Sequence, residues 1–274
     1  MRDVPALLAA LLLSASPLWA GDGFPDIDPK NFSFEEIAAA LQHPEIYTLD
    51  PASIKLEELG PAGEAPAGGM PFPASAACGE PAPELIDPST IINIGKELWR
   101  IIEANKPVVD TAQSYATAMP QGIKDPSQLQ GWRPPQGTVY RLTAENFWKW
   151  RVIDLKFQVL RTWGGACGDT GRYLTAVTTE PLLINVIWGY RFSLNASVPP
   201  ETITNVGTVE DPLAAMTHTL KLTIKTAIKE VQGAYVFHLR GDGTFQQLGS
   251  PFPARVFAEA RESVNKLREP VRWD

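Results

Sequence analysis

The sequence predicts a mainly β protein, an antiparallel β-sandwich with one or two flanking amphipathic helices. Three observations carry that expectation. Apolar and polar residues alternate over long stretches between residues 138 and 248, the pattern of strands with one face on a core and one in water. Gly- and Pro-rich turns separate those stretches. The 44% hydrophobic and 20% charged content of the 274 residues leaves ample apolar material for a core.

Residues 1–20 have the layout of a secretory signal peptide. Arg2 opens it, Val4 to Leu13 form a short apolar run, and Ser14 to Pro17 break the run before a cleavage position at Ala20. The run is too short for a comfortable membrane span, which needs about 20 apolar residues. Residues 21–58 form an N-terminal extension with one short helix. Ser33 and Glu36 make a capping box at its start, and Pro44 ends it. Residues 59–88 are dense in Pro, Gly and Ala and read as a linker that cannot bury enough apolar surface to offset its ordering entropy.

The remaining residues, 89–274, form the helix-plus-sandwich domain. Ile91, Ile94, Leu98, Ile101 and Ile102 recur at helical spacing beside Trp99, with Lys96, Glu97, Arg100 and Glu103 on the polar side. This predicts an amphipathic helix near residues 90–105, ended by Pro107. Strand periodicity then takes over. Ile153, Leu155, Phe157 and Val159 alternate with polar residues, Gly164 to Gly171 form a turn-rich tip, and Tyr173 to Thr179 return. The clearest strand runs from Leu182 to Leu194, with Trp188 and Tyr190 on its apolar face. A second spans residues 216–228, a third residues 234–240, and Gly241-Asp242-Gly243 turns into a fourth. Val256, Phe257, Ala260, Val264 and Leu267 share a face of a closing helix.

Charge and motifs exclude several functions. A formal net charge of −7 without a basic run excludes a nucleic-acid-coating protein. No nucleophile elbow, metal-binding helix motif, phosphate loop or dinucleotide fingerprint is present. No catalytic residue, metal site or cofactor is therefore expected. His218 falls on an apolar strand face and reads as a core histidine. A hairpin turning near Glu230 would put His238 opposite Ile224, about 20 Å from His218 at strand rise, too far to share a metal. Asp169-Thr170-Gly171 matches one half of an aspartic-protease pair, but the second copy that such chemistry needs is missing.

Two features offer candidates. Cys78 and Cys167 are the chain's two cysteines and would pair in an oxidising compartment. Phe147, Trp148 and Trp150 lie together, and in a strand both tryptophans would share a face. Exposed, they form an aromatic shelf able to stack on a sugar or sit at a membrane interface; buried, they belong to a Trp-rich core. The function expected is an exported, non-catalytic binding or structural module of the cell envelope or secreted space. Its partner would be an envelope glycan, another envelope protein or a membrane surface. A membrane-active, pore-forming-like sandwich that detaches the 90–105 helix is the alternative, and a glycan-acting enzyme using paired carboxylates is a second.

Overall fold

A computed structural model describes residues 30–62, 87–108 and 114–248. The expected signal peptide at residues 1–20, Cys78, most of the expected 59–88 linker and the expected closing helix lie outside these residues.

Two antiparallel sheets form the molecule. The strands are β1 (Leu49–Pro61), β2 (Asp87–Ile92), β3 (Leu98–Glu103), β4 (Lys106–Pro107), β5 (Ala116–Gln121), β6 (Gln136–Asn146), β7 (Arg151–Cys167), β8 (Thr170–Val186), β9 (Arg191–Ser197), β10 (Thr204–Asn205), β11 (Ala214–Lys225), β12 (Glu230–Arg240) and β13 (Phe245–Leu248). One sheet has the order β1-β6-β7-β8-β5-β2. The other has the order β13-β12-β11-β9-β3-β4, with β10 on the side of β11. The predicted alternation decides which side chains lie between them. Ile153, Leu155, Phe157 and Val159 of β7 are buried, as are Phe192, Leu194 and Ala196 of β9 and Tyr235, Phe237 and Leu239 of β12. Tyr140 of β6 links the sheets, its ring 5.8 Å from Phe157 beside it and 5.2 Å from Phe237 opposite. The strand faces turned away from this core are mostly polar, with Leu98, Leu182 and Leu183 exposed among them.

Polar groups also sit in the core. His218 of β11 lies 2.9 Å from the Thr179 hydroxyl of β8, across the gap between the sheets. Its ring stacks on Trp99 at 5.6 Å. Burial pushes its pKa down to about 3. Arg161 is buried too, its guanidinium 4.1 Å from the Phe245 ring and donating to Thr138 and Gln136. Burial holds its pKa below the usual arginine value.

The predicted short helix is present as α1 (Phe34–Gln42), with the Ser33–Glu36 capping box formed in both directions. It closes one end of the sandwich. Ile37 and Ala40 pack with Phe32 on Ala227 and Ile228, in the turn between β11 and β12. Arg191, at the start of β9, donates to both Glu36 oxygens at 2.8 and 3.0 Å, and its guanidinium lies over the Phe32 ring. Burial alone would raise the Glu36 pKa, but the Ser33 N–H and Arg191 hold it below the ordinary carboxylate value. The extension is thus part of the domain: β1 pairs with β6 along its length, across the expected boundary at residue 58.

Three expectations are corrected. Residues 90–105 are not a helix but β2, a turn, β3 and the start of the next turn. Asn93 explains much of this. Its side chain accepts from the Gly95 and Thr117 N–H groups and donates to the Lys96 carbonyl, local bonds that compete with a helix. Gly95 lies so close to Tyr115 that an added Cβ would be 2.2 Å from its carbonyl oxygen. The isoleucines there are β-branched and suit extended backbone. The helix on which a pore-forming reading rested is therefore absent. Secondly, residues 182–194 are not one strand. β8 ends at Val186, residues 187–190 turn a corner, and β9 continues in the other sheet. Thirdly, β12 begins at Glu230, so His238 pairs with Thr217. It is next to His218 in register yet on the opposite face of the sheet, half-exposed where His218 is buried.

Two outcomes follow for stability. Below pH 6.5 the unfolded chain protonates His218, and the folded chain does not until about pH 3. Stability from this group is complete above 6.5 and falls as pH drops toward 3, by at most about 1.4 kcal/mol per pH unit. Urea midpoints at pH 7 and 4.5 should show His218→Gln losing less on acidification than the parent; equal losses contradict a neutral buried His218. Glu36→Gln should cost about 1–3 kcal/mol by leaving Arg191 half-buried without its counter-charge, read as a lowered denaturation midpoint.

Candidate functional site

The turns at the α1 end of the sandwich carry the tryptophans. The chain leaves β6 at Asn146 and enters β7 at Arg151 through Phe147, Trp148, Lys149 and Trp150. Asn146, fully buried, closes this turn from inside. Its backbone N–H donates to the Trp150 carbonyl, and its side-chain oxygen accepts from the Trp150 N–H at 2.9 Å. Lys149 takes a left-handed φ of 65°, which reverses the chain, and its ammonium meets Asp50 at 2.7 Å. With the backbone thus held, the side chains of Trp148 and Trp150 point outward, 50% and 51% exposed. Their rings meet edge to face at 5.4 Å and 79°. Both tryptophans are therefore exposed rather than in the core, and they sit on a turn rather than a strand. Phe147 is half-buried, its N–H donating to the Thr48 carbonyl.

The β8–β9 corner supplies a third indole. Ile187 N–H donates to the Val152 carbonyl at the head of β7. Gly189 adopts φ 83°, and an added Cβ would lie 2.4 Å from a Tyr47 ring carbon, so only glycine fits. The corner turns Trp188 out, 54% exposed, and Tyr190 in, fully buried. Tyr47 touches both rings, at 6.0 Å from Trp188 and 6.5 Å from Tyr190. One backbone atom joins the two turns: the Ile46 carbonyl accepts from the Asn146 side chain at 2.9 Å and from the Tyr190 hydroxyl at 2.6 Å. Asn105, in the β3–β4 turn, adds a bond to the Tyr190 carbonyl and accepts from the Phe192 N–H.

Tyr47, Ile187 and the outward Trp188 were not legible as site residues. The one signal was Gly189 inside an otherwise clean strand pattern, a mark of a bulge or bend. Trp99 is in the core, and Trp132 and Trp163 are half-buried against it.

Cys167 lies at the other end, where β7 turns into β8 at Gly168 and Asp169. The triplet Asp169-Thr170-Gly171 is this hairpin tip. Among the described residues no cysteine is free; Cys78, its expected partner, falls outside them. His43 closes α1, its N–H donating to the Ala39 carbonyl. Among the described residues no group of three His, Cys, Asp or Glu could hold a metal ion, and no helix is long and apolar enough to cross a membrane. A cleft of about 570 Å³ runs along the β8 edge between Trp99, Tyr115 and Glu180. Beside it Ala176 takes a left-handed φ of 52° within the strand.

Comparison with protein-family models, with curated proteins and with solved structures finds no match to this chain.

Trp148→Ala, Trp150→Ala and Trp188→Ala should each cost under about 1.5 kcal/mol, the value of an aromatic pair and little burial. Trp99→Ala should cost about 3–5 kcal/mol. Acrylamide quenching of tryptophan fluorescence should fall in the first three variants and not in the fourth. An exposed-site variant as costly as Trp99→Ala would place that ring in a core.

Proposed function

We propose that this protein is an exported, non-catalytic binding module of the cell envelope or secreted space, and that it engages its partner through Trp148, Trp150 and Trp188. One observation carries this reading: two turns, each held by part-buried hydrogen bonds and joined at the Ile46 carbonyl, present three half-exposed indoles at one end. A side chain with two rotatable bonds on a fixed backbone loses little entropy on contact, which favours binding. Large exposed aromatic side chains gathered in one region mark interaction surfaces in general. The signal-peptide layout of residues 1–20 supports export, and export supports pairing of Cys78 with Cys167.

Two measurements test it. The chain recovered from periplasm or medium should begin at Gly21, and its mass should be about 2 Da below that of the reduced form, the two hydrogens lost in one disulfide. Reduction should lower stability by about 4–5 kcal/mol on the chain-entropy model for so long a loop. Retention of residues 1–20 in cytoplasm would contradict export. Secondly, the parent should co-sediment with isolated envelope fragments, and the folded triple variant W148A/W150A/W188A should not. Equal sedimentation would remove the tryptophans from function.

A further inference from the structure

We infer that the partner of the tryptophan end is a lipid bilayer surface, which it meets as a peripheral contact at headgroup depth. This rests on the binding-module reading and names its ligand. The apolar groups at this end are mixed. The same end also carries Ile187, 40% exposed, and two exposed side chains of α1, Phe34 and Leu41. Aliphatic side chains add nothing to a sugar-stacking platform and suit an acyl boundary. The indoles suit the same boundary, since Trp is favoured where one side of the ring is wet and the other apolar. Trp148 and Trp150 also meet at 79°, so they present no flat shelf to a saccharide.

The polar groups point the same way. A sugar site needs polar side chains aimed at hydroxyls. Four such groups at this end are engaged internally. Asn146 bonds Ile46 and Trp150, Asn105 bonds Tyr190 and Phe192, Asp50 holds Lys149 and the Ala52 N–H, and Glu36 holds Arg191. A bilayer interface asks for no such donors.

Charge sets the kind of lipid. The chain carries a net charge of −7, and the lysine on the β6–β7 turn is paired with Asp50. Attraction to anionic headgroups is therefore not the driving force, and the contact should form on zwitterionic lipid and persist in salt.

The test uses the exported, processed chain with phosphatidylcholine vesicles and, separately, with soluble envelope polysaccharide. Vesicles should blue-shift the tryptophan fluorescence and protect it from acrylamide. Lipids brominated near the headgroup should quench it more than lipids brominated at the chain end. Raising salt from 0.05 to 0.5 M, a span over which about 14 Å of screening length shrinks to about 4 Å, should change binding less than twofold. W148A/W150A/W188A, shown folded by its denaturation midpoint, should bind vesicles at least about tenfold more weakly, as loss of three buried rings implies. Depth-dependent quenching of the parent reads the contact directly even if that variant does not fold. Tryptophan-dependent polysaccharide binding without vesicle binding overturns the lipid inference and leaves the binding-module reading standing. No vesicle binding, with envelope co-sedimentation unchanged in the variant, overturns both.

Discussion

The corner at residues 187–190 is the constraint from which the rest of the molecule follows. There the chain leaves one sheet and enters the other, and the reversal needs the left-handed backbone of Gly189 packed against the Tyr47 ring. Without the corner, β8 and β9 would be one strand in one sheet, and Trp188 and Tyr190 would share a face. With it, Tyr190 becomes a core residue whose hydroxyl reaches Ile46, and Trp188 becomes a surface residue. The Ile46 carbonyl then ties the corner to the β6–β7 turn through Asn146. A single backbone acceptor thus fixes two tryptophan-bearing turns relative to each other.

The rigidity of that end is inherited from the sandwich beneath it. β7 and β8 are 17-residue strands, far above the usual length, and their paired ends carry the turns. The inter-sheet contacts hold the two layers in register, Tyr140 on Phe237 by packing and His218 on Thr179 by a hydrogen bond. α1 is fastened to the same end by the Glu36–Arg191 pair and by the packing of Ile37 and Ala40 with Phe32, Ala227 and Ile228. An amphipathic side chain held on such a frame meets a partner with little further ordering, which is the physical basis for reading this end as functional.

How much was legible follows from the range of the forces involved. Alternation in β6, β7, β11 and β12 is a direct imprint of one-sided burial, so the sheets and most core residues were readable. The capping box of α1 is a local signature and was found intact. The 90–105 segment was misread because Ile91, Ile94, Leu98, Ile101 and Ile102 satisfy a helical period by coincidence. What decided against a helix was partly distant, the approach of Tyr115 to Gly95 and of Thr117 to Asn93, contacts no local window contains. The 182–194 segment was misread for a related reason: its parity survives the corner, so period two continued while the chain changed sheets. Trp148 and Trp150 were legible as a pair, but their exposure depended on Asn146 and on the left-handed Lys149, neither of which periodicity reports.

Function therefore hangs on which rings face water at the corner. Hydroxyl-radical footprinting of the native chain reads this directly within one peptide spanning residues 183–192. Trp148 and Trp150 supply an exposed reference, and Trp99 a buried one. The corner predicts that Trp188, 54% exposed, is oxidised at a rate near that of Trp150, while Tyr190, with no exposed area, is protected until the protein unfolds. Equal oxidation or equal protection of Trp188 and Tyr190 would mean one continuous strand, and would contradict both the division into sheets and the aromatic end built upon it.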